Sequence, residues 1–288
     1  MKRFVLLFAL CGFVLAGCDD QVQPPASEVS VYLSTSPLSD ASVKSAATAA
    51  ENMVTRLVLY GVDDQDMVVY TSQVLTNPSL TGIKLEIPLE VETLYAVAIP
   101  LAGIGSATPS TLSELLDLTG NFATAPGSPF LMGGKGDIVD SKANIELVRA
   151  VAKIEVLALN DFQIESVAVG NTPNRGYIFK QETPAPPTSS ERVDYPANTT
   201  NSTVYVAENS SDDPTELLII GTYLGKQATY TIVLKKGGTP VDIVRNTCYQ
   251  VGVSAITDSD CMFTVKIPEW EDGEEIDDHI IPDENFDE

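Results

Sequence analysis

Apolar and polar residues alternate strictly along 28–34 (EVSVYLS): Val29, Val31 and Leu33 fall on one side, Ser30, Tyr32 and Ser34 on the other. Period two is the mark of a strand with one buried face. The same reading places strands at 54–60, 67–74, 83–87 and 94–99, and later at 204–207, 217–223, 228–235, 241–244, 247–256 and 262–267. Gly237-Gly238 and residues 257–260 supply turns between the last of these. One helix is predicted, where Ser110 can cap TLSELLDL and Leu112, Leu115 and Leu116 share a face at helical spacing. The apolar run 145–159 (IELVRAVAKIEVLAL) fits either period, and its β-branched content and strand-rich surroundings favour strand.

Two segments carry no such pattern. Residues 19–27 (DDQVQPPAS) read as a polar tether, and 37–50 (PLSDASVKSAATAA) as an exposed linker. A third shift, toward Pro, Ser, Thr and Asn, spans 181–202 and predicts a domain boundary. The expected fold is therefore all-β: two antiparallel β-sandwiches in tandem, over 28–195 and 196–270, with one short helix in the first. Residues 271–288 form a tail in which ten of eighteen positions are Asp or Glu.

The first eighteen residues change the picture. Lys2 and Arg3 precede an apolar run over 4–14 that is too short to cross a bilayer, which is the layout of a secretory signal over 1–17. Leu15-Ala16-Gly17-Cys18 resembles a lipobox, so Cys18 is the expected lipidation site. Two or three acyl chains hold a protein stably on a membrane where one does not. Without the signal the chain keeps 15 basic against 40 acidic residues, a net of −25, which argues against nucleic acid and anionic lipid surfaces as partners. Cys11 leaves with the signal; Cys248 and Cys261 remain, either paired outside the cytoplasm or as separate thiols.

Catalytic chemistry finds little to work with. His279, in the acidic tail, is the single histidine, so the folded body has none for a Ser-His-Asp or Cys-His arrangement or for a His/Cys zinc site. Neither a cofactor nor a metal is expected. The acidic runs 63–66 and 258–260 lack a calcium-loop pattern and read as solvated turns. Asn198, Asn201 and Asn209 begin Asn-X-Ser/Thr triplets and read as polar loop residues.

In order along the chain stand the lipobox, the strand 28–34, VTRLVLYG (54–61), TLSELL (111–116), FLMGG (130–134) and LVRAVAKIEV (147–156). VYVAEN (204–209), VRNTCYQVGV (244–253) and FTVKIPEW (263–270) follow. In this order the sequence resembles the fimbrillin family of Bacteroidetes, lipoprotein precursors whose subunits polymerise into surface fimbriae (pili). The resemblance implies two transthyretin-like β-sandwich domains, location at the outer membrane and cell surface, and other fimbrial subunits as partners. It also implies strand replacement: a protease cuts the linker, the strand carrying Val29, Val31 and Leu33 leaves, and a neighbour's C-terminal segment fills the groove. Such an exchange satisfies both the freed backbone groups and the apolar slot, and head-to-tail donation generates a filament. Ile276, Ile280 and Phe286 lie at even spacing, so an extended tail would present them on one face; a solvated acidic tail is the other reading.

The linker departs from the family. Stalk subunits of that family are cut after an arginine, whereas 37–50 contains none and Lys44 is its single basic residue. Processing is thus expected at Lys44 by a protease of different preference, or else the chain stays uncut as an anchor or tip adhesin. A surface glycan-binding lipoprotein is the alternative from another class, disfavoured by the single tryptophan, Trp270.

Overall fold

A computed structural model describes residues 25–36, 47–98, 108–198, 202–236, 238–255, 261–266 and 277–278. The first strands are β1 (Ala26–Thr35), β2 (Arg56–Val62), β3 (Val68–Thr71), β4 (Leu75–Thr76), β5 (Ile83–Pro88) and β6 (Thr93–Ala98). Helix α1 (Leu112–Leu116) precedes β7 (Thr119–Asn121), β8 (Met132–Val139), β9 (Lys142–Arg149) and β10 (Val151–Leu159). Next come β11 (Phe162–Pro173), β12 (Arg175–Tyr177), β13 (Arg192–Asn198), β14 (Thr203–Ala207), β15 (Glu216–Tyr223) and β16 (Lys226–Val233). The last are β17 (Lys235–Lys236), β18 (Thr239–Pro240), β19 (Cys248–Ala255), β20 (Cys261–Lys266) and β21 (Asp277–Asp278).

The all-β expectation holds. One sheet runs in the order β3-β2-β6-β8-β9-β1-β5, with β4 also on β2. Its middle strands, RLVLYGV and TLYAVA, are buried at nearly every position, because cover comes to both faces. Phe179 packs edge-on against Tyr95 of β6, and Leu115 of α1 joins the same apolar cluster. In the second half the sheet β14-β10-β19-β20-β21 shares a core with β13-β11-β15-β16: Ile154, Val251 and Phe263 from one, Val167, Ile219 and Ile232 from the other. Two pairings depart from the antiparallel expectation, β1 with β9 and β10 with β19, and both join strands far apart in sequence.

The ambiguous run 145–159 resolves into two successive strands. β9 belongs to the first sheet and β10 to the second, so one extended stretch stitches the halves together. Along this run the buried clusters part between Val151 and Ala152, and Ile178, Phe179 and Ala207 later return to the first cluster. The Pro- and Ser-rich stretch is a partly exposed crossing, with Pro187 buried, that leads into β13. Pro196 is tolerated there because β13 is the outermost strand of its sheet.

Other local expectations shift for physical reasons. Thr111, not Ser110, caps α1, accepting from the Glu114 N–H, while Ser110 N–H and hydroxyl both donate to the Glu114 carboxylate at 2.8 Å. Residues 241–244 form no strand; only Ile243 bridges, to Asn209. Asn209, a polar loop residue as expected, is fully buried, holding Asp213 O and Thr215 through its amide. β8 carries three glycines because a Cβ at Gly134 or Gly136 would stand 2.2 Å from a carbonyl oxygen of β9. Cys248 and Cys261 form no disulfide: Cys261 sits opposite Ala255, seven residues beyond Cys248, so the register keeps them roughly 23 Å apart along the hairpin.

Candidate strand-exchange groove

β1 occupies a slot between β5, antiparallel to it, and β9, parallel to it. Val31 is level with Ile83 on one side and Ala143 on the other; Val29 faces Leu85 and Leu33 faces Ile145. The three side chains are 2%, 0% and 7% exposed in chain order, whereas Tyr32, on the opposite face, is 38% exposed. Alternation in the sequence thus becomes a row of apolar side chains pressed into the core. Full burial of each contributes about 1.5–3 kcal/mol, an upper estimate. β1 is not an edge strand, however: β5 lies outside it. Whatever takes its place must satisfy backbone groups on two neighbours at once.

The two ends of the slot differ. At the start of β1 a cleft of about 540 Å³ opens between Ser27, Val29, Leu89, Val91, Glu92 and Ile138. Nearby, beyond the ladder itself, the Leu89 N–H donates to Pro25 O, the Ser30 N–H donates to Ser141 O, and an exposed Lys84–Glu28 pair stands at 2.7 Å. At the far end the chain is clamped. Ser36 N–H donates to Leu147 O at 2.8 Å, and Ser36 O accepts from Arg149 Nη1 at 2.8 Å.

Arg149, the last residue of β9, is 1% exposed. Besides Ser36 its guanidinium donates to Glu51 O at 3.1 Å, to Asn246 Oδ1 at 2.7 Å and to Asn52 Oδ1. It therefore holds the chain where it leaves for residues 37–46 and again where it returns, and ties both to the second half. Burial pulls its pKa down.

Glu51 anchors the returning chain. It is 2% exposed, exchanges hydrogen bonds with Thr48, accepts from the Tyr205 hydroxyl at 2.7 Å and lies 3.3 Å from Lys153. Burial alone would raise its carboxyl, but the Thr48 N–H, the Tyr205 hydroxyl and Lys153 outweigh it and hold the pKa below the usual value. Tyr205 is raised by burial and by Glu51. Lys153, although burial opposes its charge, is held up by Glu155 at 2.8 Å and by Glu51. A second buried pair, Arg245 with Glu208 at 2.7 Å, reaches across to Tyr177 O and Ile178 O.

Of the residues singled out from the sequence, the structure brings Val29, Val31 and Leu33 together. Cys18, Lys44, Ile276, Ile280, Phe286 and Trp270 lie outside the described residues. From the tail, β21 pairs with β20 at Phe263 and Thr264. Sequence reasoning missed Arg149, Glu51 and Asn246. The available signal was Arg149 and Lys153 within an otherwise apolar run, since charges inside buried strands need partners.

The chain superposes on a fimbrial assembly protein from Parabacteroides distasonis with a TM-score of 0.62, covering 88% of this chain and all of that one at 14% identity. The tip fimbrial protein Mfa3 of Porphyromonas gingivalis, with a C-terminal truncation, gives 0.58 over 85% of this chain and all of that one at 13% identity. A fimbrilin (FimA) of the same organism gives 0.54 over 88% and 98% at 14% identity. The fold is that of Bacteroidetes fimbrial proteins. No protein-family model matches the chain, and no curated protein does. At such identities the likeness is one of architecture rather than of side chains.

Proposed function

We propose that the chain is a structural subunit of a surface fimbrium, exported as a lipoprotein on Cys18 and assembled by strand replacement. The observation that carries this reading is β1 itself: an alternating strand seated between β5 and β9 and joined to the body through residues 37–46. While the linker is intact, β1 is held at the high effective concentration of an intramolecular partner. A cut near Lys44 removes that advantage, and a tail carrying Ile276, Ile280 and Phe286 from the next subunit can then compete for the slot. Repetition builds a filament because the donation is heterologous. The solved proteins of like fold include a fimbrilin and a fimbrial tip protein, which supports a fimbrial role. The missing linker arginine favours a second reading, an uncut anchor or tip subunit at the outer membrane.

N-terminal sequencing of the protein recovered from the cell surface tests this. A start at Ser45 together with ladder-forming multimers is the expected result. A blocked Cys18 on a monomer overturns the stalk role in favour of the anchor.

A further inference from the structure

We propose that Arg149 is the receptor for an oxygen acceptor at the leading end of the replacing strand, and so sets how far that strand must reach into the slot. This rests on the strand-replacement reading above. In the present state Nη1 serves two acceptors, Ser36 O and Asn246 Oδ1, and only the first belongs to the segment that leaves. Departure of β1 removes Ser36 and leaves the Glu51, Asn52 and Asn246 contacts in place. A charged N–H, in a site that is 1% exposed while β1 is seated, then loses its protein acceptor and faces the emptied end of the slot. An unsatisfied buried donor on a charged group is among the costlier defects a fold can carry. An incoming strand that ends short of position 36 leaves the defect; one that reaches it repairs it.

Direction decides which end of the newcomer arrives there. A strand that keeps the course of β1, parallel to β9 and antiparallel to β5, brings its C-terminal side to Arg149. The acceptor is a backbone carbonyl or a carboxylate. The acid-rich tail, with Asp283, Glu284, Asp287 and Glu288 at its C-terminal side, offers both. The N–H of Ser36, paired with Leu147 O, is a separate contact and must be kept constant in any test.

The test uses the full chain with a specific protease site placed within 37–46, cut, then unfolded in urea and refolded with an excess of labelled synthetic peptides that begin at Ala26, so that they compete with the resident β1 for the slot. One peptide ends in Ser36 as its amide, and a second ends in Ser36 as the free acid. The third ends at Thr35 as the 1-hydroxy-2-propylamide, which keeps the N–H, Cβ and hydroxyl of Ser36 but replaces its carbonyl with a methyl group. Uptake is read by fluorescence anisotropy. The carbonyl-free peptide should bind on the order of tenfold more weakly than the amide, and the free acid at least as tightly as the amide. Amide and carbonyl-free peptide within twofold of each other would overturn the proposal. So would a tenfold gap that persists in an Arg149→Gln chain able to take up the carbonyl-free peptide, since the gap should vanish there. Failure of every peptide to enter overturns the replacement reading, and this inference with it.

Discussion

The Tyr205 hydroxyl donates to the Glu51 carboxylate at 2.7 Å across 154 residues of sequence, pinning the chain just after the linker to β14 of the second half. The consequence is that severing residues 37–46 frees β1 on one side only. On the other side the chain stays anchored by a buried carboxylate with several partners.

Glu51 makes that anchor dependent on pH. Its folded-state pKa lies below the ordinary value, so its contribution is present above the unfolded pKa and is lost as pH falls through the folded one. The melting temperatures of the wild type and Glu51→Gln should differ at pH 7 and converge below about pH 4. A gap that stays constant from pH 7 to pH 3 would contradict the assignment.

Val31 is wholly buried in the slot, whereas Tyr32 is 38% exposed on the other face. Val31→Asp buries an unpaired charge at a cost of several kcal/mol, about the whole gain from the three apolar side chains. After the linker is cut, β1 should dissociate from the Val31→Asp chain but stay bound in Tyr32→Asp. Mass spectrometry of the size-exclusion peak distinguishes the two.

Ile280→Asp should abolish multimers of the processed protein and leave the monomer's thermal unfolding unchanged. Multimers that survive this change would remove the tail from consideration as donor.

Arg245 and Glu208 are 4% and 3% exposed and doubly bonded, with Arg245 also serving two carbonyls next to β12. Arg245→Met strands a buried carboxylate and should cost about 3–5 kcal/mol in urea unfolding, most of it recovered when Glu208→Leu is added. A single variant that unfolds like the wild type would show the pair to be dispensable.

Most strands were legible because burial of one face writes itself as period two. β11 escaped because its phase breaks: Phe162 and Ile164 alternate, the register shifts before Ser166, and Val167 and Val169 resume on the other count. β8 escaped because three glycines read as turn chemistry, though they are there for close backbone approach to β9.

By itself the sequence determined an all-β chain and a first strand with Val29, Val31 and Leu33 on one face. These are local: each depends on residues within a few positions of one another. Only tertiary structure decided that β1 lies one strand inside the sheet edge, that β9 runs straight into β10 across two cores, and that Arg149 grips both ends of the linker. Such facts rest on which strand pairs with which over separations of a hundred residues, and hydrophobic alternation is the same whichever partner a strand finds.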